Sequence, residues 1–166
     1  MELTMTKIDK KKIASFVVGI AVPLTVGIIS AAISREGYAA YKEITKPPLS
    51  PPALAFPIAW TILYVLMGVS SAIIFNNKEK NPEEARRGLR LYAISLAANF
   101  LWSIIFFKFG AFLFALICLL IMLFYIIKTI LSYRSISPLA AYLQIPYALW
   151  VAFAGYLNAG VFLLNM

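Results

Sequence analysis

The run AFLFALICLLIMLFYIIKTIL, Ala111–Leu131, holds one charged side chain, Lys128, in 21 positions. A helix needs about 20 mostly apolar residues to cross the hydrocarbon of a bilayer, and this run supplies them without a break. Its apolar residues do not alternate with polar ones, so it does not read as a strand of a membrane barrel. It predicts a transmembrane helix.

Working outward from it, the same test finds four more spans: Ile13–Ser34, Ala53–Phe75, Leu89–Phe107 and Pro138–Leu164. Composition agrees. Of 166 residues, 62% are hydrophobic and 13% charged, whereas a soluble domain is nearer half apolar and about a quarter charged. The first span follows KIDKKK (Lys7–Lys12) and exceeds the roughly 7–15 apolar residues of a signal-peptide core, so it is expected to be retained. The expected fold class is an all-α membrane protein, a five-transmembrane-helix bundle over residues 13–166. A basic cytoplasmic tail, residues 1–12, precedes it.

Orientation follows from the cations, since Lys and Arg accumulate on the cytoplasmic side. Lys7, Lys10, Lys11, Lys12, Lys78, Lys80, Arg86, Arg87, Arg90, Lys128 and Arg134 fall at one end, eleven in all. Arg35, Lys42, Lys46 and Lys108, four, fall at the other. The N-terminus is therefore expected inside and the C-terminus outside. The net charge of +8 reads as topology signal and attraction to anionic lipid, not as a nucleic-acid footprint.

Several chemistries drop out. The chain has no histidine, and its one cysteine, Cys118, lies in the middle of the fourth span. That excludes internal disulfides and argues against a protein-built metal site. All seven acids lie at or before Glu84, so no carboxylate stands at mid-membrane depth to serve a proton or cation relay. No phosphate-cradling glycine loop or nucleophile–base pair occurs.

Polar-tipped aromatics and amides remain within the spans. Pro57, Trp60, Tyr64, Met67 and Ser71 share one face of the second span, and Ser95, Asn99, Trp102 and Phe106 one face of the third. Tyr147, Trp150, Ala154 and Asn158 do the same in the fifth. An amide in hydrocarbon lacks partners, so Asn99, Gln144 and Asn158 should face inward. Such stripes could wall a cavity for a flat apolar ligand, or be ordinary helix packing; spacing alone leaves both open. Between the first two spans, KPPLSPP (Lys46–Pro52) places Pro47, Pro48, Pro51 and Pro52 in a segment too stiff for helix or inner strand. It reads as a lid over the outer end, or as a linker that stops one helix and starts the next.

The string YKEITKPPLSPPALAFPIAWTILYVLMGVSSA (Tyr41–Ala72) resembles the signature region of the TspO/MBR family, which includes translocator proteins and tryptophan-rich sensory proteins. NFLWSIIFF (Asn99–Phe107) and PYALWVAFAGYLN (Pro146–Asn158) resemble its other two blocks, in the same order. The resemblance implies five transmembrane helices, frequent homodimerisation and a pocket beneath the loop joining the first two spans. It also implies binding of porphyrins, protoporphyrin IX or haem, as ligand, with no cofactor required. Carried over by motif, the ligand-binding residues are Tyr41, Trp60, Asn99, Trp102, Tyr147, Trp150 and Ala154, and the prolines become the lid. Within that set, truncating Trp150 or enlarging Ala154 is expected to harm binding most, then Trp60, with Tyr41 least.

Departures from the family pattern matter too. Ala40, Leu49 and Leu54 stand where aromatics are frequent, and only three tryptophans remain. After Tyr156 no Lys or Arg follows, so the sterol-recognition pattern is absent. A prokaryotic plasma membrane is the expected setting, and sterol an unexpected partner. Two functions stay open: a binder, sensor or transporter of tetrapyrrole-like amphiphiles, or a light-dependent porphyrin-degrading enzyme using Trp60 and Trp150. The absence of titratable groups at depth favours the first.

Overall fold

The computed structural model describes residues 7–166, so the first six residues of the basic tail lie outside it. Six α-helices follow in order: α1 (Lys7–Ile33), α2 (Arg35–Glu43), α3 (Ala55–Asn76), α4 (Pro82–Ser103), α5 (Phe112–Arg134) and α6 (Pro138–Leu164). The described residues include no strand. Five stretches are long and apolar enough to cross a membrane: Lys10–Ile33, Ala55–Asn76, Pro82–Lys108, Phe112–Arg134 and Pro138–Leu164. The five-helix membrane bundle read from the sequence is what the chain forms. Helix α2 is an addition to it.

Helix starts follow local chemistry. The Asn81 side chain accepts from the Glu84 N–H with Pro82 in the first turn, and Ser137 accepts from the Ala140 N–H with Pro138 beside it. Each pair satisfies a donor the helix leaves orphaned and presets φ for its first residue. At the far end of α4, Ile104–Lys108 widens into a π-helical turn in which the Phe109 N–H reaches the Ile104 carbonyl at 3.1 Å. Gly110, at φ 60°, then reverses the chain into α5.

In α5, Ala115, Leu119, Met122, Ile126 and Tyr133 are fully or almost fully buried, at intervals of three, four and seven. They face α4 and α6, and spacing of this kind is knobs-into-holes packing. The opposite face exposes Phe114, Ile117, Leu120, Ile121, Phe124 and Ile127. Water does not tolerate so long an apolar strip, but lipid does. Neighbours run α1–α3–α6–α5–α4 and back to α1, a closed ring. The three amides point into it: Asn99, Gln144 and Asn158 are each at most 2% exposed. Gln144 donates to Ser70, which donates to the Ala140 carbonyl at 2.7 Å, joining α3 to α6. Asn158 accepts from the Trp102 indole and donates to the Phe112 carbonyl, joining α6 to α4 and α5.

Two close approaches need glycine. Gly19 of α1 and Gly68 of α3 meet backbone to backbone: a Cβ on Gly68 would sit 2.5 Å from the Gly19 carbonyl oxygen. Gly37 of α2 lies directly on the Phe107 carbonyl of the π-helical turn, where no Cβ fits. That contact docks α2 across the end of the bundle, and the Ser34 hydroxyl, just before it, donates to the Ser103 carbonyl at 3.3 Å.

The proline strap, expected as a lid or a linker, is tied to the end of α6. Pro47 packs on Gly160, and Tyr156 donates to the Pro48 carbonyl at 2.9 Å. The Asn165 amide clamps Thr45, accepting from its N–H at 3.0 Å and donating to its carbonyl at 2.8 Å. Asn165→Ala removes both bonds, each worth about 0.5–1.5 kcal/mol, so amide exchange at Thr45 should quicken roughly tenfold. Unchanged exchange would mean that Pro47 on Gly160 holds the strap alone.

Candidate functional site

Because Gly19 and Gly68 draw α1 and α3 together toward one end, the same two helices leave room at the α2 end. There a cavity of about 470 Å³ lies among α1, α2, α3 and α4. Helix α3 supplies Phe56, Pro57, Trp60 and Tyr64 to its wall. Helix α4 and its π-helical turn add Asn99, Trp102, Ser103 and Phe107, and α1 adds Gly27 and Ser30. Tyr38, Tyr41 and Lys42 of α2 form the roof. Ile28 and Thr61, also on the wall, are exposed on the outside of the bundle, so the cavity has a side opening between α1 and α3.

Trp60 is the centre of the aromatic lining. It stacks on Tyr64 at 5.6 Å between centroids and lies 6.0 Å from Trp102. The Tyr64 hydroxyl donates to Asn99 Oδ1 at 2.9 Å, while the Asn99 Nδ2 group is buried without a partner. In the roof, Tyr41 packs against Phe56, Phe106 and Phe107. Burial pushes the phenols of Tyr38 and Tyr41 above their ordinary value, so both stay neutral. The one charged group on the lining is Lys42. Among the described residues no cluster of His, Cys, Asp and Glu could hold a metal ion.

Of the residues singled out from sequence, Tyr41, Trp60, Asn99 and Trp102 border this cavity. Tyr147, Trp150 and Ala154 do not. Tyr147 and Trp150 stand behind Trp60, edge-on at 6.2 and 6.5 Å, and Ala154 is buried on α6. Trp150 borders instead a shallow groove of about 450 Å³ between α3 and α6, with Ile62, Leu66, Pro146 and Phe153. Pro47, Pro48, Pro51 and Pro52 are absent from the lining too; they carry the chain from α2 to α3, and Ala55 donates to the Pro52 carbonyl. The roof is α2. Gly27 and Ser30 of the first span and Tyr38 and Lys42 of α2 were not foreseen. A tyrosine pair three residues apart, Tyr38 and Tyr41, was the available signal for the α2 face.

Residues 19–164 match the TspO/MBR family, a stretch that runs from the middle of α1 to the end of α6. The tryptophan-rich protein TspO of Chlorobaculum tepidum is 33% identical over 156 residues, 93% of this chain and 98% of that one. The translocator protein of Bos taurus is 37% identical over 133 residues, covering 80% and 79%. The tryptophan-rich sensory protein of Cereibacter sphaeroides is 31% identical over 125 residues, covering 75% and 76%. With five spans, an aromatic cavity under α2 and likeness along nearly the whole length, this multi-pass membrane protein belongs to the TspO/MBR family.

Proposed function

We propose that the protein binds porphyrin-like flat amphiphiles, protoporphyrin IX or haem among them, in the cavity under α2, acting as a binder, sensor or transporter. The observation that carries this reading is Trp60, whose ring forms a cavity wall while four other aromatics, Tyr64, Trp102, Tyr147 and Trp150, hold it from behind and beside. Indole offers a broad stacking face, and a volume of about 470 Å³ falls in the roughly 300–1,000 Å³ range of small-molecule sites. The relatives' own names, translocator and sensory protein, fit a role in holding or passing on a ligand. Tyr147 and Trp150 belong to this reading as the support behind Trp60, and Ala154, buried one turn on from Trp150, as part of the α6 packing face. Binding needs no added cofactor. Titrating the purified protein with protoporphyrin IX in the dark, and then illuminating it, tests the reading. Saturable tryptophan quenching with no new product supports a binder; a light-made product lost in Trp150→Phe indicates degradation instead.

The orientation proposed with this function puts α2 and the C-terminus outside a prokaryotic plasma membrane, following the eleven-to-four cation count. A periplasm-active reporter after Met166 should be active and one near Lys80 silent. The opposite pattern overturns the orientation. A homodimer through α4 is part of the proposal, because Ala93 and Ala97 lie on its exposed face, where small residues let helices approach in lipid. Sterol is not proposed as a partner, since no cation follows Tyr156.

A further inference from the structure

The cavity is apolar and aromatic except at its roof, where Lys42 is the one charged lining residue. No carboxylate neutralises it: the ion pair found among the described residues is Arg87–Glu84, on α4. The neighbouring cation, Lys46, is engaged elsewhere, donating to the Lys42 carbonyl at 3.0 Å and lying 5.1 Å above the Tyr41 ring. Lys42, exposed and without an ion-pair partner among the described residues, therefore stands at one end of an otherwise apolar cavity. The side opening at Ile28 and Thr61 faces lipid, with Lys42 above it on the helix that crosses the bundle end. An amphiphile in a bilayer keeps its charged group at the surface and its body in the hydrocarbon, so it meets the opening in the pose the slot accepts.

We infer that the cavity selects anionic amphiphiles, a flat ring system bearing a carboxylate, and that Lys42 is the residue that reads the charge while the ring enters sideways between α1 and α3. This deepens the proposed function without depending on porphyrin as the ring. Lys42 is exposed, and exposed charge pairs contribute up to about 1 kcal/mol. The expected preference for acid over neutral ester is therefore modest, about two- to fivefold.

The test uses pyrenebutyrate and its methyl ester, protoporphyrin IX and its dimethyl ester, and the purified full chain in non-ionic detergent. Parent protein should bind each acid more tightly than its ester. Lys42→Arg should keep that preference, Lys42→Met should remove it and Lys42→Glu should reverse it, each read as the ratio of acid to ester affinity. Should pyrenebutyrate show this pattern while neither porphyrin binds, the inference stands and the porphyrin reading falls. Equal binding of pyrenebutyrate and its ester, a preference that survives Lys42→Met, or no binding of either pyrene overturns the inference whatever the porphyrins do. So does displacement of pyrenebutyrate by phosphatidylglycerol but not phosphatidylcholine, which would give Lys42 to a lipid headgroup.

Discussion

Replacing Trp60 with alanine is expected to weaken protoporphyrin IX binding roughly a hundred- to thousandfold, the loss typical of a truncated buried aromatic anchor. The ring touches Tyr64, Trp102, Tyr147 and Trp150, so its removal takes away the ligand's stacking face and loosens four neighbours together. Trp150→Ala should cost less, because Trp150 does not border the cavity and acts on it through Trp60 and Phe56, which do. That reverses the order drawn from sequence, which put Trp150 and Ala154 first. Tryptophan-independent calorimetry of both variants decides it. A Trp60→Ala protein that binds as the parent does would remove the cavity from the account.

The largest effect on stability is expected from Gly68→Leu. A Cβ at Gly68 would lie 2.5 Å from both the Gly19 carbonyl oxygen and the Ile20 Cα. Both are backbone atoms, so no side chain can turn aside and α1 must move as a body. Overpacking of this kind costs roughly 1–3 kcal/mol or more, and thermal unfolding in detergent should fall by roughly 5–10 °C. Gly155→Ala is the control, since nothing lies within 4 Å of a Cβ there. An unshifted midpoint for Gly68→Leu would mean that α1 and α3 do not meet at these glycines.

The sequence made the spans legible because a bilayer imposes one length and one polarity on every crossing. It made the inward amides legible for the same reason: Asn99, Gln144 and Asn158 had nowhere else to satisfy themselves. Helix α2 escaped because nine residues, REGYAAYKE, carry neither an apolar run nor a cap bond. Its helicity comes from docking Gly37 and Tyr38 on Phe107, which are contacts of high sequence separation. The cavity was half legible. Intervals of three and four say which residues share a helix face, not what that face meets. Trp60 and Trp150 lie on facing stripes, and only packing decides that Trp60 stands between Trp150 and the cavity. The contribution of α1 was hidden more deeply, since Gly27 matters for the Tyr64 ring it admits rather than for any group of its own.

The most direct test is an experimental structure with protoporphyrin IX bound. The account predicts the ring between α1 and α3 beneath α2, stacked on Trp60, with a carboxylate toward Lys42. A ring lying instead in the groove between α3 and α6, against Trp150 and Phe153, would contradict it.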